Sequence, residues 1–150
     1  RDFMLEIFAS GHKMAISKTI IDEWRRHEST FSRRWRAKMF SRKQVVSFES
    51  NEIHNEDLRL RIREHEPDEA VCNIMLKDIH LIETALAADE IVSSLDEAVR
   101  GHFKRICDPI SEIQQIVWVN PTYPEEACIP WLREGAKSED ERKLGYNEEK

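Results

Sequence analysis

The feature that most constrains this chain is the alternation of short apolar segments with longer helix-like ones. Strands are predicted at Lys13–Ser17, Ile91–Leu95 and Ile116–Val119, and Val45–Phe48 is either an edge strand or an extended link. Strands that alternate with helices are typical of parallel sheets, because a parallel pair needs a crossover connection. The pattern therefore predicts an α/β fold, a three-layer sandwich in which helices flank a small, largely parallel sheet.

Helical periodicity accounts for most of the remaining sequence. Helices are predicted at Asp2–Ser10, Lys18–His27, Phe31–Phe40, Asn55–Glu64, Pro67–Ala88, Asp96–Ile106 and Pro124–Glu134. The longest of these has a candidate break near Leu76. We assign residues 1–137 to one domain, and we expect residues 138–150, which are polar and of mixed charge, to form a frayed tail.

Charge, cysteine and histidine patterns argue against several classes of protein. The net charge of −6 disfavours a protein that coats nucleic acid through bulk charge. The cysteines form no CxxC pair and the histidines no HxxxH or HxH pair, so neither a zinc site nor a disulfide framework is expected. No segment approaches the roughly 20 apolar residues of a membrane helix, and no signal peptide is visible. We expect a cytoplasmic protein that does not bind membranes.

Asp78 occupies an unusual position for an acid. In the helical pattern of Lys77–Ala88 it falls in line with the apolar residues Leu81 and Ile82. A carboxylate among core side chains is costly unless another group compensates its charge. Either Asp78 caps a helix that restarts after Leu76, or it belongs to a functional site, and the pattern alone leaves both interpretations open.

Two further acids lie near the carboxyl ends of predicted strands. Asp96 follows Ile91–Leu95, where α/β proteins place catalytic acids and where any helix also takes its N-cap. Glu23, on the flank of the apolar stripe of its helix, would be a solvated side chain if taken alone. Clustered carboxylates repel one another unless cations neutralise them, and oxygen ligands suit Mg²⁺ or Mn²⁺. Taken together, the three acids indicate a metal site.

The order of these segments follows a known pattern. The string Lys77–Leu86 has an acid, Asp78, as its second residue and a small residue, Ala85, seven positions after that acid, and it leads through a turn to Ile91–Asp96, which ends in Ser-Leu-Asp. Upstream, Ile16–Trp24 reads as a strand end, a serine and a helix that bears a second acid, and Trp118–Pro121 closes the series as a last strand. From roughly Lys13 to Pro121, the chain resembles the PIN-domain family of metal-dependent ribonucleases.

The resemblance implies a four-acid site that holds Mg²⁺ or Mn²⁺ and activates water to cut RNA. Glu23, Asp78 and Asp96 match the second, third and fourth acids, as both metal ligands and catalytic residues. The weaker substrate-side candidates are Ser17, Ser94 and Asn120. The family's first acid ends an initial strand that this chain does not show. We therefore expect either that the natural protein begins about 10–30 residues before Arg1, with a short Val/Ile/Leu-rich strand ending in Asp in that segment, or that the site is degenerate.

Three functions follow from these observations. The leading hypothesis is a cytoplasmic endoribonuclease, including a toxin-type member that an antitoxin-like protein partner holds inactive. The alternative is a catalytically inactive PIN-like module that binds RNA or protein, and the third hypothesis is an unrelated α/β interaction domain. A homodimer is compatible with each of them, and the sequence does not identify the RNA.

Residues 18–43 are basic within an acidic chain. They carry nine lysines and arginines against three acids, a net charge of +6. In one interpretation they form a patch that tracks RNA phosphates, with Arg33, Arg34 and Arg36 as contacts and with Phe31 and Trp35 stacking on bases. In the other they form two amphipathic helices with basic solvent faces and core aromatic residues. The sequence does not decide between these interpretations.

Overall fold

A computed structural model describes residues 1–149, which form nine α-helices and four short strands. The helices are α1 (Asp2–Ala9), α2 (Lys18–His27), α3 (Thr30–Ser41), α4 (Ser50–Ile53), α5 (Glu56–His65), α6 (Glu69–Ala87), α7 (Glu97–Ile106), α8 (Ser111–Gln114) and α9 (Cys128–Arg133). The strands are β1 (Met14–Ser17), β2 (Val45–Phe48), β3 (Ile91–Ser93) and β4 (Val117–Val119). Short 3₁₀ helices lie at Pro124–Glu126 and Asp140–Arg142. The predicted mixture of helices and strands is confirmed.

The four strands form two separate parallel sheets. β1 pairs with β2, from Met14 opposite Val45 to Ser17 opposite Phe48, and β3 pairs with β4. The crossover of the first pair contains α2 and α3, and the crossover of the second contains α7 and α8. Parallel pairing is confirmed and Val45–Phe48 is a strand. Within residues 1–149 no pairing joins β1 to β3, so the structure has two small sheets in place of the single sheet predicted.

A largely apolar groove lies between the two sheets. Met14, Ala15 and Ile16 of β1 and the whole of β3 line one cavity of about 790 Å³. Side chains of α1, α2, α3, α6 and α9 and of the connecting loops form its other walls. Successive side chains of a strand point to opposite faces of the sheet, so three consecutive residues can line one cavity only along the edge of the strand. The cavity therefore lies between the edges of β1 and β3.

The longest helix, α6, contacts a strand of each sheet. It contacts β1, β3, α2, α4, α5 and α7. Its N-cap is Asp68, whose Oδ1 accepts hydrogen bonds from the backbone N–H groups of Ala70 and Val71. The helix is continuous, so the predicted break near Leu76 is wrong. Pro67 lies before the cap and not in the first turn.

The buried apolar residues form two clusters. The larger one surrounds α6 and α7 and draws on the chain between residues 58 and 144. The smaller one consists of Val117, Val119, Cys128, Trp131 and Leu132, with α1 packed against it. The N-terminal helix is therefore held by residues from the last third of the chain.

The segment after residue 138 packs on the domain. Leu144 is buried, and its backbone N–H donates to the carbonyl oxygen of Ile116 over 2.9 Å. Lys143 forms an antiparallel bridge with Val117. The prediction of a frayed tail is wrong for this stretch, because the apolar side chain of Leu144 joins the core. The last position of the predicted tail, residue 150, lies outside the described residues.

Candidate metal site

Three side chains from two helices converge on one point. Glu23 extends from α2, and Asp78 and His80 extend from α6. One oxygen or nitrogen atom of each lies within 4.8 Å of the others. His80 Nε2 is 3.5 Å from Glu23 Oε2. The structure therefore brings together two of the three acids that the sequence singles out, and it adds a histidine.

Asp78 belongs to this group and not to a helix cap. Its helix begins ten residues earlier at a different cap, Asp68, which removes the capping interpretation. Burial raises the pKa of the Asp78 carboxyl above its ordinary value of 3.8, and the charges of Glu23 and Asp96 raise it further. Interactions with His80 and Lys77 act in the opposite direction and lower this pKa. A cation in the group would favour the charged form of this carboxylate.

Asp96 lies apart from the three converging side chains. It is the N-cap of α7, where its Oδ1 accepts a hydrogen bond of 3.0 Å from the backbone N–H of Val99. The Oγ of Ser94 in turn accepts from the backbone N–H of Asp96 over 3.1 Å. The Asp96 charge reaches Asp78, but its carboxylate does not belong to the 4.8 Å group. Two of the three predicted acids, Glu23 and Asp78, therefore share one group of potential metal ligands, and Asp96 acts on Asp78 through its charge.

The sequence analysis did not single out His80, because no second histidine stands at ligand spacing from it. The side chain is 8% exposed, and its carbonyl oxygen accepts a 2.7 Å hydrogen bond from Thr84 Oγ1. His80, Glu83 and Thr84 are all buried and stand at i, i+3 and i+4. Three polar residues at this spacing on the buried face of one helix are the signal that could have drawn attention to His80.

Ser17 and Asn120 serve the local backbone. Ser17 is buried and caps α2 by accepting a 3.4 Å hydrogen bond from the backbone N–H of Ile20. Asn120 Nδ2 donates to Glu97 Oε2 over 2.9 Å, and Asn120 Oδ1 accepts from Thr122 Oγ1 over 2.6 Å. Because these polar atoms already have protein partners, neither residue is a strong candidate for binding substrate.

The basic segment contains residues of two kinds. Arg36 lies 3.1 Å from Glu28 in an ion pair whose side chains are 13% and 11% exposed, so its guanidinium is little available to an RNA phosphate. Trp35 is buried and belongs to the core, which excludes it from stacking on bases. Arg33 and Arg34 are exposed and form no ion pair with any described residue. These two arginines keep the phosphate-binding interpretation.

The donor set suits a divalent cation. Two carboxylates and an imidazole supply both oxygen and nitrogen ligands. His80 Nε2 is buried and has no hydrogen-bond partner among the described residues. Buried polar atoms normally have a partner, and a bound ion would provide one here. The unpartnered His80 Nε2 beside two carboxylates is therefore compatible with a bound cation, as in the metal site that the sequence predicts.

Comparisons of the chain with protein-family profiles, with curated proteins and with solved structures find no match. In residues 1–149, no helix has both the length and the apolar content needed to cross a membrane.

Proposed function

We propose that the protein is a PIN-like, metal-dependent endoribonuclease that hydrolyses RNA phosphodiesters. The observation that carries this proposal is the convergence of Glu23 and Asp78 around a buried imidazole nitrogen that lacks a hydrogen-bond partner. Glu23 follows β1, and the carboxylate of Asp96, which follows β3, acts on Asp78 through its charge. The carboxyl ends of strands are where α/β proteins gather their active sites.

Each group has a distinct part in the proposed reaction. Glu23 and Asp78 would hold Mg²⁺ or Mn²⁺, and such an ion supplies a bound water of lowered pKa and a positive charge beside the phosphate. Asp96 adds negative charge near the site while Ser94 fixes its loop. Arg33, which is exposed, would contact backbone phosphates through its charge, and such contacts do not depend on the RNA sequence.

The test is cleavage of a fluorescently labelled RNA by the purified protein in Mg²⁺ or Mn²⁺, with EDTA as the metal-free reference. We expect Glu23→Gln and Asp78→Asn each to lower the rate by at least about 100-fold, since each removes a metal ligand. The matched control is Asp22→Asn, because that acid neighbours Glu23 on α2 but pairs with Lys18 at the surface. Cleavage that survives both site variants, or that proceeds in EDTA, would contradict the proposal.

A second candidate function is RNA binding without catalysis. The observation that favours it is that only two carboxylates belong to the converging group, while Asp96 is engaged as a helix cap. In that case the wild-type protein binds RNA, through Arg33 and Arg34, but leaves it intact in every metal. Gel-shift and cleavage assays on the same oligonucleotide separate the two functions. An antitoxin-like partner and a homodimer stay predictions.

A further inference from the structure

The hydrogen bonding of His80 fixes where its proton lies. His80 Nδ1 is 3.1 Å from the carbonyl oxygen of Lys77, one turn earlier in α6. A carbonyl oxygen can only accept, so Nδ1 carries a proton and donates it. In a neutral imidazole the lone pair is then on Nε2. This arrangement, with one ring nitrogen donating to a backbone carbonyl, is the one that metal-binding histidines normally show.

His80 Nε2 points towards the two carboxylates. It lies 3.5 Å from Glu23 Oε2 and belongs to the 4.8 Å group that includes Asp78. It has no hydrogen-bond partner among residues 1–149, although the side chain is only 8% exposed. A lone pair facing carboxylate oxygens has nothing to bind unless a cation lies between them.

The size of the group suits a single ion. Ligands that bind one ion at about 2.1 Å are at most about 4.2 Å apart. Because the separations in this group are at most 4.8 Å, an inward movement of no more than a few tenths of an ångström is enough to bring all three ligands onto one ion. Side-chain rotations of Glu23, which is 41% exposed, can supply that movement without a change in the backbone.

We infer that His80 is a third metal ligand, which makes the site a mixed nitrogen and oxygen site that prefers a first-row transition ion, Mn²⁺ or Zn²⁺, over Mg²⁺. This inference rests on the proposed function, because it uses the same Glu23 and Asp78 carboxylates. Imidazole binds transition ions well, whereas Mg²⁺ prefers oxygen ligands and retains its waters. The ligand set therefore determines which metal the protein selects.

The first experiment measures Mn²⁺, Zn²⁺ and Mg²⁺ affinities by titration calorimetry for the wild-type protein and for His80→Gln. We expect the variant to bind Mn²⁺ and Zn²⁺ at least about 10-fold more weakly and to bind Mg²⁺ within about threefold of wild type. The control variant is His102→Gln, because His102 lies on α7 and hydrogen-bonds with Arg105 away from the site. An equal loss of affinity for all three ions, or no loss of affinity, would show that His80 does not determine which metal the site prefers.

A second measurement needs no substitution, so it holds even if His80→Gln fails to fold. Electron spin-echo spectroscopy of Mn²⁺ bound to the wild-type protein should show coupling to ¹⁴N, and this coupling should disappear when the histidines are labelled with ¹⁵N. Bound Mn²⁺ without nitrogen coupling would overturn the inference.

The outcomes also separate this inference from the proposed function. If no divalent ion binds, or if Glu23→Gln and Asp78→Asn bind Mn²⁺ normally, the proposed function fails together with the inference. If those variants lose Mn²⁺ while His80→Gln retains the wild-type preference among ions, only the role of His80 is refuted, and its imidazole is an ion-pair partner of Glu23.

Discussion

The most decisive test of the fold concerns Glu83, an acid buried in the middle of α6. Its side chain is 1% exposed. It accepts hydrogen bonds from Arg59 Nη2 over 2.7 Å, from Arg59 Nε over 3.0 Å and from the backbone N–H of Asn55 over 2.7 Å. These contacts fix the start of α5 against α6. Replacing Glu83 with Ala removes all three hydrogen bonds and leaves the Arg59 guanidinium without its partner.

The structure allows the cost to be calculated to order of magnitude. Removing one partner of a buried ion pair typically costs about 3–5 kcal/mol of unfolding free energy. Arg59 is 26% exposed and can turn towards water, so we expect the lower end for Glu83→Ala, about 3 kcal/mol. A loss of this size is a large part of the roughly 5–15 kcal/mol that stabilises a typical domain. In urea it would lower the unfolding midpoint by about 1–2 M.

The assay is urea unfolding followed by circular dichroism and by tryptophan fluorescence. The control is Lys18→Ala, which removes an ion pair whose side chains are 75% and 39% exposed, and its midpoint should barely change. The double variant Glu83→Met/Arg59→Met should be more stable than Glu83→Ala, since it leaves no unpaired charge. If Glu83→Ala shifts the midpoint no more than the control does, the contacts described here do not stabilise the protein.

Three further predictions follow from particular contacts. The hydrogen bond from Arg61 lowers the pKa of Glu112 below its ordinary value of 4.5, so its contribution to stability is full above pH 4.5 and is lost as the pH falls through the folded-state pKa. The difference in urea midpoint between wild type and Glu112→Gln should therefore be larger at pH 7 than at pH 3.5. The same difference at both pH values would refute this contribution of the Arg61–Glu112 contact to stability. The double variant Arg33→Glu/Arg34→Glu should bind RNA more weakly and with less dependence on salt, because fewer phosphate contacts release fewer counterions. Fluorescence anisotropy at several salt concentrations measures both effects. An unaltered salt dependence would show that these two arginines are solvated side chains that do not contact RNA. Asp68→Ala should lower the free energy of unfolding in urea by about 1 kcal/mol, because it removes the N-cap of α6. Asp68→Ser, which keeps a hydrogen-bond acceptor at the cap, should lower it less.

Local patterns predicted the elements that depend on local interactions. The prediction for α2, Lys18–His27, matches the structure because the cap, Ser17, and the apolar stripe both belong to that segment. The four-residue helices α4 and α8 escaped prediction, since one turn is too short to show a period. The break expected near Leu76 does not occur. Apolar residues on both sides of that position, Met75 and Ile79, pack into the same core and favour a continuous helix.

The candidate site was predictable only in part, for a related reason. The unusual position of Asp78 on its helix could be read from spacing, and Glu23 followed from the resemblance. Spacing along α6 could draw attention to His80 but could not pair it with Glu23, because Glu23 lies on a different helix and no spacing rule connects the two. The separation of the two sheets is likewise a tertiary property. A pattern can show that strands exist, but pairing depends on which edges meet in three dimensions.

The packing of α1 against α9 has a consequence for the order in which the protein is made. His12 Nε2 donates a 2.6 Å hydrogen bond to the carbonyl oxygen of Leu132, 120 positions later in the chain. Ribosomes add about 5–20 residues per second, so about 6–24 s separate the synthesis of these two partners. During that interval the apolar side chains of Phe3 and Ile7 have no completed cluster to join. Helix α1 therefore leaves the ribosome well before the residues that bury its apolar face, and during that interval it is a segment that a nascent-chain chaperone could bind.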